Sequence, residues 1–415
     1  MMLRYSFSTM LLYMTLISAA LNDLLRIPDT QISLFRILMV FSVIYCLNVN
    51  SKCRKYMIVL LVLLLINIVQ AINYSEMNNY GLGFSLDVFL FNAFFYCCIV
   101  ALIMVISTLA NQDNNFEVNG LKIIKNISYF YVFILSVVLL DSNVYSQLTS
   151  HKILTNMNDI SASVAAVYPI FLYEALKEKD VRSIAFCIIS FFVVCFLGRK
   201  LATAGMVVEI IAMFLYIGSF KLTINACWGI LLFPFIGTII YLLDFGIFTK
   251  ISNVLDIVMM SADYIWDGHV FTQVNDSMSF RVSTFIYGAQ EIVNSNFMGI
   301  GIGNTAYLLR DIMPMGNYMM KGDGAVSTHN FIIQLLLEFG FVAIVFLVMW
   351  LRYVFRMIKI KIKGKLTCAF ITMSTGVWLW GLAPSGFYTT YYIHIIFLYI
   401  IFALKGNGLY KRNVQ

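Results

Sequence analysis

Twelve apolar runs set the terms on which this chain can fold. They fall at 5–22, 32–48, 56–72, 83–109, 126–141, 160–176, 181–198, 201–218, 224–243, 330–351, 366–383 and 388–404. Most approach the roughly 20 residues that carry a helix across a hydrocarbon core about 30 Å thick. Shorter runs, such as 126–141, span only by borrowing flanking residues. Backbone in lipid must satisfy its own hydrogen bonds, and runs of this length do so as helices rather than as barrel strands. Composition agrees: 61% of the residues are hydrophobic and 12% charged, for a mean hydropathy of +0.85. Soluble proteins carry about 25% charged residues, so this chain cannot cover a water-facing surface. The expected fold class is all-α, a polytopic membrane protein with about 12 transmembrane helices, read as one unit over residues 1–415. The opening "MMLRYSFSTMLLYMTLISAA" resembles a signal peptide, but the helix count favours a retained first helix.

The net charge of +7 is spread over short loop clusters and forms no nucleic-acid patch. Lysine and arginine in such loops set orientation. With the N-terminus inside, 19 of the 28 basic residues fall on the cytoplasmic side and 8 outside, with Arg36 within the second run. The cluster "RYVFRMIKIKIKGK" at 352–365 anchors its side as cytoplasmic. Both chain ends are then inside, and residues 244–329 form one large external loop. Long ordered loops are usually functional. The eight cysteines show no CxxC pair and no metal-site spacing, and none falls in an external segment, so no disulfide is expected.

The loop has internal pattern. "DSMSFRVSTFIYGAQEIVNSN" offers Asp276 and Ser277 as N-caps, then Val282, Phe285, Ile286, Ala289, Ile292 and Val293 at helical spacing. This predicts an amphipathic helix at the membrane surface or over a cavity. It ends in "NSNFMGIGIGN", where a phosphate-cradling loop is a weak reading because no strand precedes Gly299 to Asn304; a tight turn with close backbone approach fits better.

Ionisable residues near a bilayer are costly and usually functional or paired. Arg199 and Lys200 lie between two apolar runs with almost no loop; alone they read as an interfacial pair, although their outside location counts against that. Arg281 opens the loop helix, and alone it reads as a solvated charge. His329 stands at the mouth of the run 330–351, as a cap or as a proton acceptor. Arg36 and Glu209 are intramembrane groups able to pair inside the bundle, and His394 is expected to be buried and neutral. Two external arginines and one external histidine, without an acidic metal cage, suit a pyrophosphate and a hydroxyl to be deprotonated. An external enzyme joining a sugar hydroxyl to a lipid-pyrophosphate-activated sugar needs those groups.

"RVSTFIYGAQEIVNSNFMGIGIGN" followed by "STHNFIIQLLLEFGFVAIVFLVMW" resembles the signature region of the bacterial O-antigen polymerase and O-antigen ligase superfamily. That pattern is an arginine, a helix, an "N-P-L-x-G-x-G-x-G-N"-like turn, a loop, and "H-N-x-x-x-Q-x-x-x-E-x-G" opening a membrane helix. His329, Asn330, Gln334, Glu338 and Gly340 fit; the turn here reads Asn296-Phe297-Met298-Gly299, without the usual proline. "MNDISASVAAVYPIFLY", Met157 to Tyr173, resembles the family's Asn-led helix start, and Gly198-Arg199 falls where members have Ser-Arg. The motifs cover roughly 155–350.

The resemblance implies a metal-independent glycosyltransferase without cofactor, in the bacterial inner membrane. It would act at the periplasmic face on undecaprenyl-pyrophosphate-linked oligosaccharide as donor and acceptor. Arg199 and Arg281 would hold the pyrophosphate and His329 would orient or deprotonate the acceptor hydroxyl. Asn330, Gln334, Lys200, Asn304 and Arg36 are the expected substrate-binding residues. A polymerase of repeat units is the first expectation, with a chain-length regulator as a candidate partner. The ligase that moves finished chains onto lipid A core is the alternative. A flippase of the same lipid-linked sugar is the alternative of another class, disfavoured by the oversized loop and the lack of a two-half repeat.

Overall fold

The computed structural model describes residues 6–22, 25, 33–77, 86–141, 143, 157–217, 277–305, 308–309, 330–359, 364–382 and 390–406. Among these residues there is no strand. The α-helices are α1 (Phe7–Ala20), α2 (Leu34–Val49), α3 (Ser51–Met77), α4 (Leu86–Gln112), α5 (Phe116–Leu140), α6 (Met157–Tyr173), α7 (Val181–Phe196), α8 (Lys200–Ile217), α9 (Ser277–Asn294), α10 (Phe331–Phe339), α11 (Phe341–Ile358), α12 (Lys365–Trp380) and α13 (Tyr391–Gly406). A π-turn, Glu174–Glu178, continues α6.

Among the described residues, six stretches are long and apolar enough to cross a membrane: Ser51–Tyr74, Phe89–Gln112, Phe116–Leu140, Met157–Glu178, Lys200–Ile217 and Phe341–Ile358. Phe7–Ala20, Leu34–Val49, Val181–Phe196 and Tyr391–Lys405 are shorter apolar helices. By length and composition this is an all-helical, multi-pass membrane protein. The run 224–243 and most of the loop 244–329 lie outside the described residues. The run 330–351, expected as one helix, is two. Gly340 sits at φ +56 between α10 and α11, a conformation open to glycine and closed to a helix.

The chain divides into two compact units, the first comprising 1–63, 94–217 and 351–415 and the second 64–93 and 218–350. In the first, α6 is buried along nearly its whole length and packs against α5, α7, α8, α12 and α13. Its run Ser161-Ala162-Ser163-Val164-Ala165-Ala166 is built from small residues, which let neighbouring helices approach closely in lipid. α8 and α12 meet the same way: a side chain at Gly205 would strike the Trp380 ring at 2.7 Å, and one at Gly376 would strike Glu209 at 2.3 Å. Glu209 is fully buried and accepts the indole N–H of Trp380 at 2.8 Å. At the Glu174 end of α6, that carboxylate accepts from Lys125 at 2.7 Å and Lys365 at 3.0 Å, and from Ser183. The loop charges put Lys125 and Lys365 on one side, and here they share one partner. Outward faces stay apolar: Ile37, Val40, Phe41 and Ile44 of α2 are each at least 45% exposed, as a lipid-facing surface requires.

In the second unit the second half of α3, the helix α9, the residues up to Thr305 and the helix α10 enclose a core of Tyr74, Ile292, Ile300, Leu308, Ile333 and Leu337. α9 forms where the periodicity predicts it, but it buries a partly different face. Ile286 and Ile292 are buried, while Phe285 and Val293 are exposed. Thr284, Glu291 and Ser295 are buried instead, because Glu291 is drawn in by the Tyr74 hydroxyl at 2.9 Å. Asp276 lies outside the described residues, and Ser277 is the first residue of the helix rather than its cap.

Candidate functional site

The site region in the second unit is built by two helices running in the same direction. α9 and α10 pack together, and a side chain at Gly288 would strike Ile333 at 2.4 Å and Leu337 at 3.5 Å. Their C-terminal ends also meet: the Phe341 N–H donates to the Phe297 carbonyl at 2.7 Å and the Ile300 N–H to the Leu337 carbonyl at 2.7 Å. With the middles in contact and the C-terminal ends joined, both N-terminal ends face one way. Arg281 is the fifth residue of α9 and lies seven residues, or roughly 10 Å of axial rise, before Gly288. His329 lies outside the described residues; in the chain it directly precedes Asn330, the N-cap of α10. Both N-terminal ends turn positive dipole ends to one side, a setting that favours anions.

The glycine-rich stretch joins the C-terminal ends of α9 and α10. Gly299, Gly301 and Gly303 have φ of +85°, +92° and +85°. A side chain at Gly301 would strike the Ala71 Cβ at 2.4 Å, and one at Gly340 would strike the Phe297 carbonyl oxygen at 2.2 Å. This is the tight turn with close backbone approach, packed on α3 and on the break after α10. Asn296, at φ +52, stands where that pattern has proline; proline's ring cannot reach that angle, so the departure fits the backbone.

Several motif residues are engaged in this scaffold. Asn330 accepts from the backbone N–H groups of Ile332 and Ile333, both at 3.1 Å, and so caps α10. Gln334 is buried and donates to Glu338 at 3.3 Å, and the Gly303 N–H reaches the same carboxylate oxygen at 3.5 Å. Asn304 donates its amide to the Ile300 carbonyl at 2.7 Å. In these three the polar ends expected to bind substrate hold the fold together.

In the first unit, Arg199 stands between α7 and α8. Its Nη1 donates to Asn158 Oδ1 at 3.1 Å, which ties it to the start of α6. Its Nε is buried and meets no acceptor among the described residues. The fork is thus oriented from one side and keeps a donor to spare. Lys200, the first residue of α8, is exposed. Arg36 is half-buried and stacks over the Phe94 ring at 4.9 Å, a cation–π contact that satisfies an intramembrane charge. His394 is half-buried rather than buried. Among the described residues no three His, Cys, Asp or Glu side chains are grouped to hold a metal ion.

Sequence reasoning passed over Asn67, Gln70 and Tyr74. Asn67 donates to the Glu338 carbonyl at 2.8 Å and accepts from the Ile302 N–H at 2.5 Å; Gln70 donates to the Met298 carbonyl at 2.5 Å. The signal was present: two amides and a phenol at i, i+3 and i+7 in an otherwise apolar run share one helix face. In the sequence Asn158 leads a helix and Arg199 is a charge between two runs; nothing in their spacing announces the contact.

Compared with protein-family models, with curated proteins and with solved structures, the chain matches none.

Proposed function

We propose that this protein is a membrane glycosyltransferase that polymerises undecaprenyl-pyrophosphate-linked oligosaccharide repeat units at the periplasmic face of the bacterial inner membrane. One observation carries the reading: the two halves of the signature, the helix with Arg281 and the helix behind His329, pack in parallel with their N-terminal ends on one side. That direction favours a site where a pyrophosphate and an attacking hydroxyl meet.

The reaction needs two things from the chain. Arg281 holds the pyrophosphate, whose negative charge grows as the bond from the anomeric carbon to the phosphate oxygen breaks; a guanidinium fork matches that group, and Arg199, in the other unit, offers a second fork of the same kind. His329 takes the proton of the acceptor hydroxyl as its oxygen bonds to the anomeric carbon. The products are a lengthened glycan on one carrier and a free carrier pyrophosphate. Asn330, Gln334, Asn304 and Glu338 hold the two helices and the turn that set this geometry.

The deciding experiment deletes the gene in its host and resolves the surface polysaccharide on a gel. Core capped by single repeat units without a ladder supports the polymerase. Bare core with long chains left on the carrier makes the protein a ligase. Single lipid-linked units held in the cytoplasmic leaflet make it a flippase and remove the site assignment. In the complemented strain, His329→Ala is expected to abolish the ladder; a ladder of unchanged length and yield overturns the base assignment.

A further inference from the structure

We infer that Asn67, Gln70 and Tyr74 of α3 are positioning residues for the transfer reaction, a clamp that sets where the α9 and α10 N-terminal ends stand. This rests on the function proposed above. None of the three is in the signature region, and α3 lies more than 200 residues before the segments it binds.

The three residues share one face of α3, while Leu65 and Val69 on the other side are 63% and 56% exposed. Two amides buried in an apolar membrane helix are costly unless bonded. Here their bonds outside α3 end on the site scaffold. Asn67 accepts from the Ile302 N–H in the glycine turn and donates to the Glu338 carbonyl. Gln70 donates to the Met298 carbonyl and, at 3.4 Å, to the Phe339 carbonyl. Tyr74 donates to Glu291 in α9.

The break at Gly340 explains the need. A helix leaves its last carbonyls without intrahelical donors, and those of α10 would be stranded in an apolar setting. Glu338 and Phe339 supply such carbonyls, and α3 supplies the donors. α10 has nine residues, too few to hold itself as an isolated helix. Its direction is therefore set from its C-terminal end by α3 and by the glycine turn. The N-terminal end, which begins at Asn330 and packs on α9 through Ile333, takes its position from the end that Asn67 and Gln70 hold. Tyr74 fixes α9 to the same helix through Glu291. Loosening the clamp leaves the charges that attract substrate in place and spoils their alignment with the attacking hydroxyl. The cost falls on turnover, where a 1 Å displacement can amount to about a hundredfold.

The test uses the full-length protein in detergent. Its substrate is the organic extract of membranes from the deletion strain. Tyr74→Phe removes one hydroxyl, Asn67→Ala both amide bonds to the site scaffold and a third to Gln70, and Glu291→Gln keeps an acceptor for Tyr74. Expected is a fall in kcat of about tenfold or more for Tyr74→Phe and Asn67→Ala, with KM within about twofold and Glu291→Gln near the parent. Amide exchange over 298–305 should quicken about fivefold in Asn67→Ala, the loss of one hydrogen bond, with α5 and α13 unchanged. Parent-like kcat in both variants, or a KM that rises with it unchanged, overturns the clamp. If the parent itself does not elongate the extract, the polymerase reading fails. Exchange then decides alone: faster over 298–305 keeps the clamp as the holder of α10, and unchanged exchange removes it.

Discussion

Arg199 shows how much a single side chain can be constrained and still be available. Asn158 takes one of its donors and leaves a buried Nε without an acceptor among the described residues. Lysine keeps the charge but not the fork. Arg199→Lys is therefore expected to lower polymer formation in the complemented deletion strain by about a hundredfold, close to the loss seen when one oxyanion donor is removed. Full ladder formation would mean that only charge is needed there. Gly301 combines a φ of +92° with a side-chain position 2.4 Å from the Ala71 Cβ. Gly301→Ala should destabilise the protein by about 2–3 kcal/mol, from backbone strain and overpacking together. Adding Ala71→Gly should remove the 2.4 Å Cβ contact but neither the strain nor the 2.9 Å approach to the residue 71 Cα, so Gly301→Ala should cost less in the Ala71→Gly background than in the parent, measured by thermal unfolding against Ala71→Gly alone. No cost in that background would show that the angle is free.

Among the elements, some contacts between helices are polar, and these can be titrated or cut. Asp113, between α4 and α5, accepts from Tyr13 of α1 at 2.6 Å, from Asn119 at 2.9 Å and from the Asn115 N–H at 2.9 Å. Burial opposes its charge, but these donors outweigh burial and hold its carboxyl below the ordinary 3.8. A carboxyl depressed on folding contributes fully above the ordinary value and loses that contribution as pH falls through the folded one. The unfolding midpoint of the parent should therefore fall more steeply than that of Asp113→Asn below about pH 4, and equal slopes would remove Asp113 as the cause. At the far end of α6, Glu174 is 4% exposed in its side chain and is held by two lysines. Lys125→Met or Lys365→Met should each cost about 1 kcal/mol in thermal unfolding, because the other lysine remains. The pair together should cost about 3–5 kcal/mol, since a buried carboxylate is then left without a cation. Simple additivity of the two single effects would show that Glu174 is hydrated instead.

For the whole molecule, the loop charges assign the end of α8 at Lys200 to the outside and the end of α11 at Lys359 to the cytoplasm. Both residues are exposed. In a cysteine-free background, Lys200→Cys should react with a membrane-impermeant maleimide in intact cells, and Lys359→Cys only after permeabilisation. The reverse pattern would invert the topology and put Arg199 on the cytoplasmic side.

Helix positions were legible along the chain, since the apolar runs 181–198, 201–218 and 388–404 correspond to α7, α8 and α13. Apolar length is a local, additive property, so a window of residues reports it. The break at Gly340 was not legible, because an apolar run reads the same whether its helix continues or turns. Nor was the inward turn of Glu291, which a charge pattern puts in solvent. What the sequence by itself determined is the class of the protein and the stretches that become helices. Tertiary structure alone decided which polar groups meet: Asn67 with Glu338 and Ile302, Asn158 with Arg199, and Lys125 and Lys365 on Glu174. The reason is that a hydrogen bond in an apolar interior needs both partners in place, and these partners are brought together only when helices distant in the chain pack.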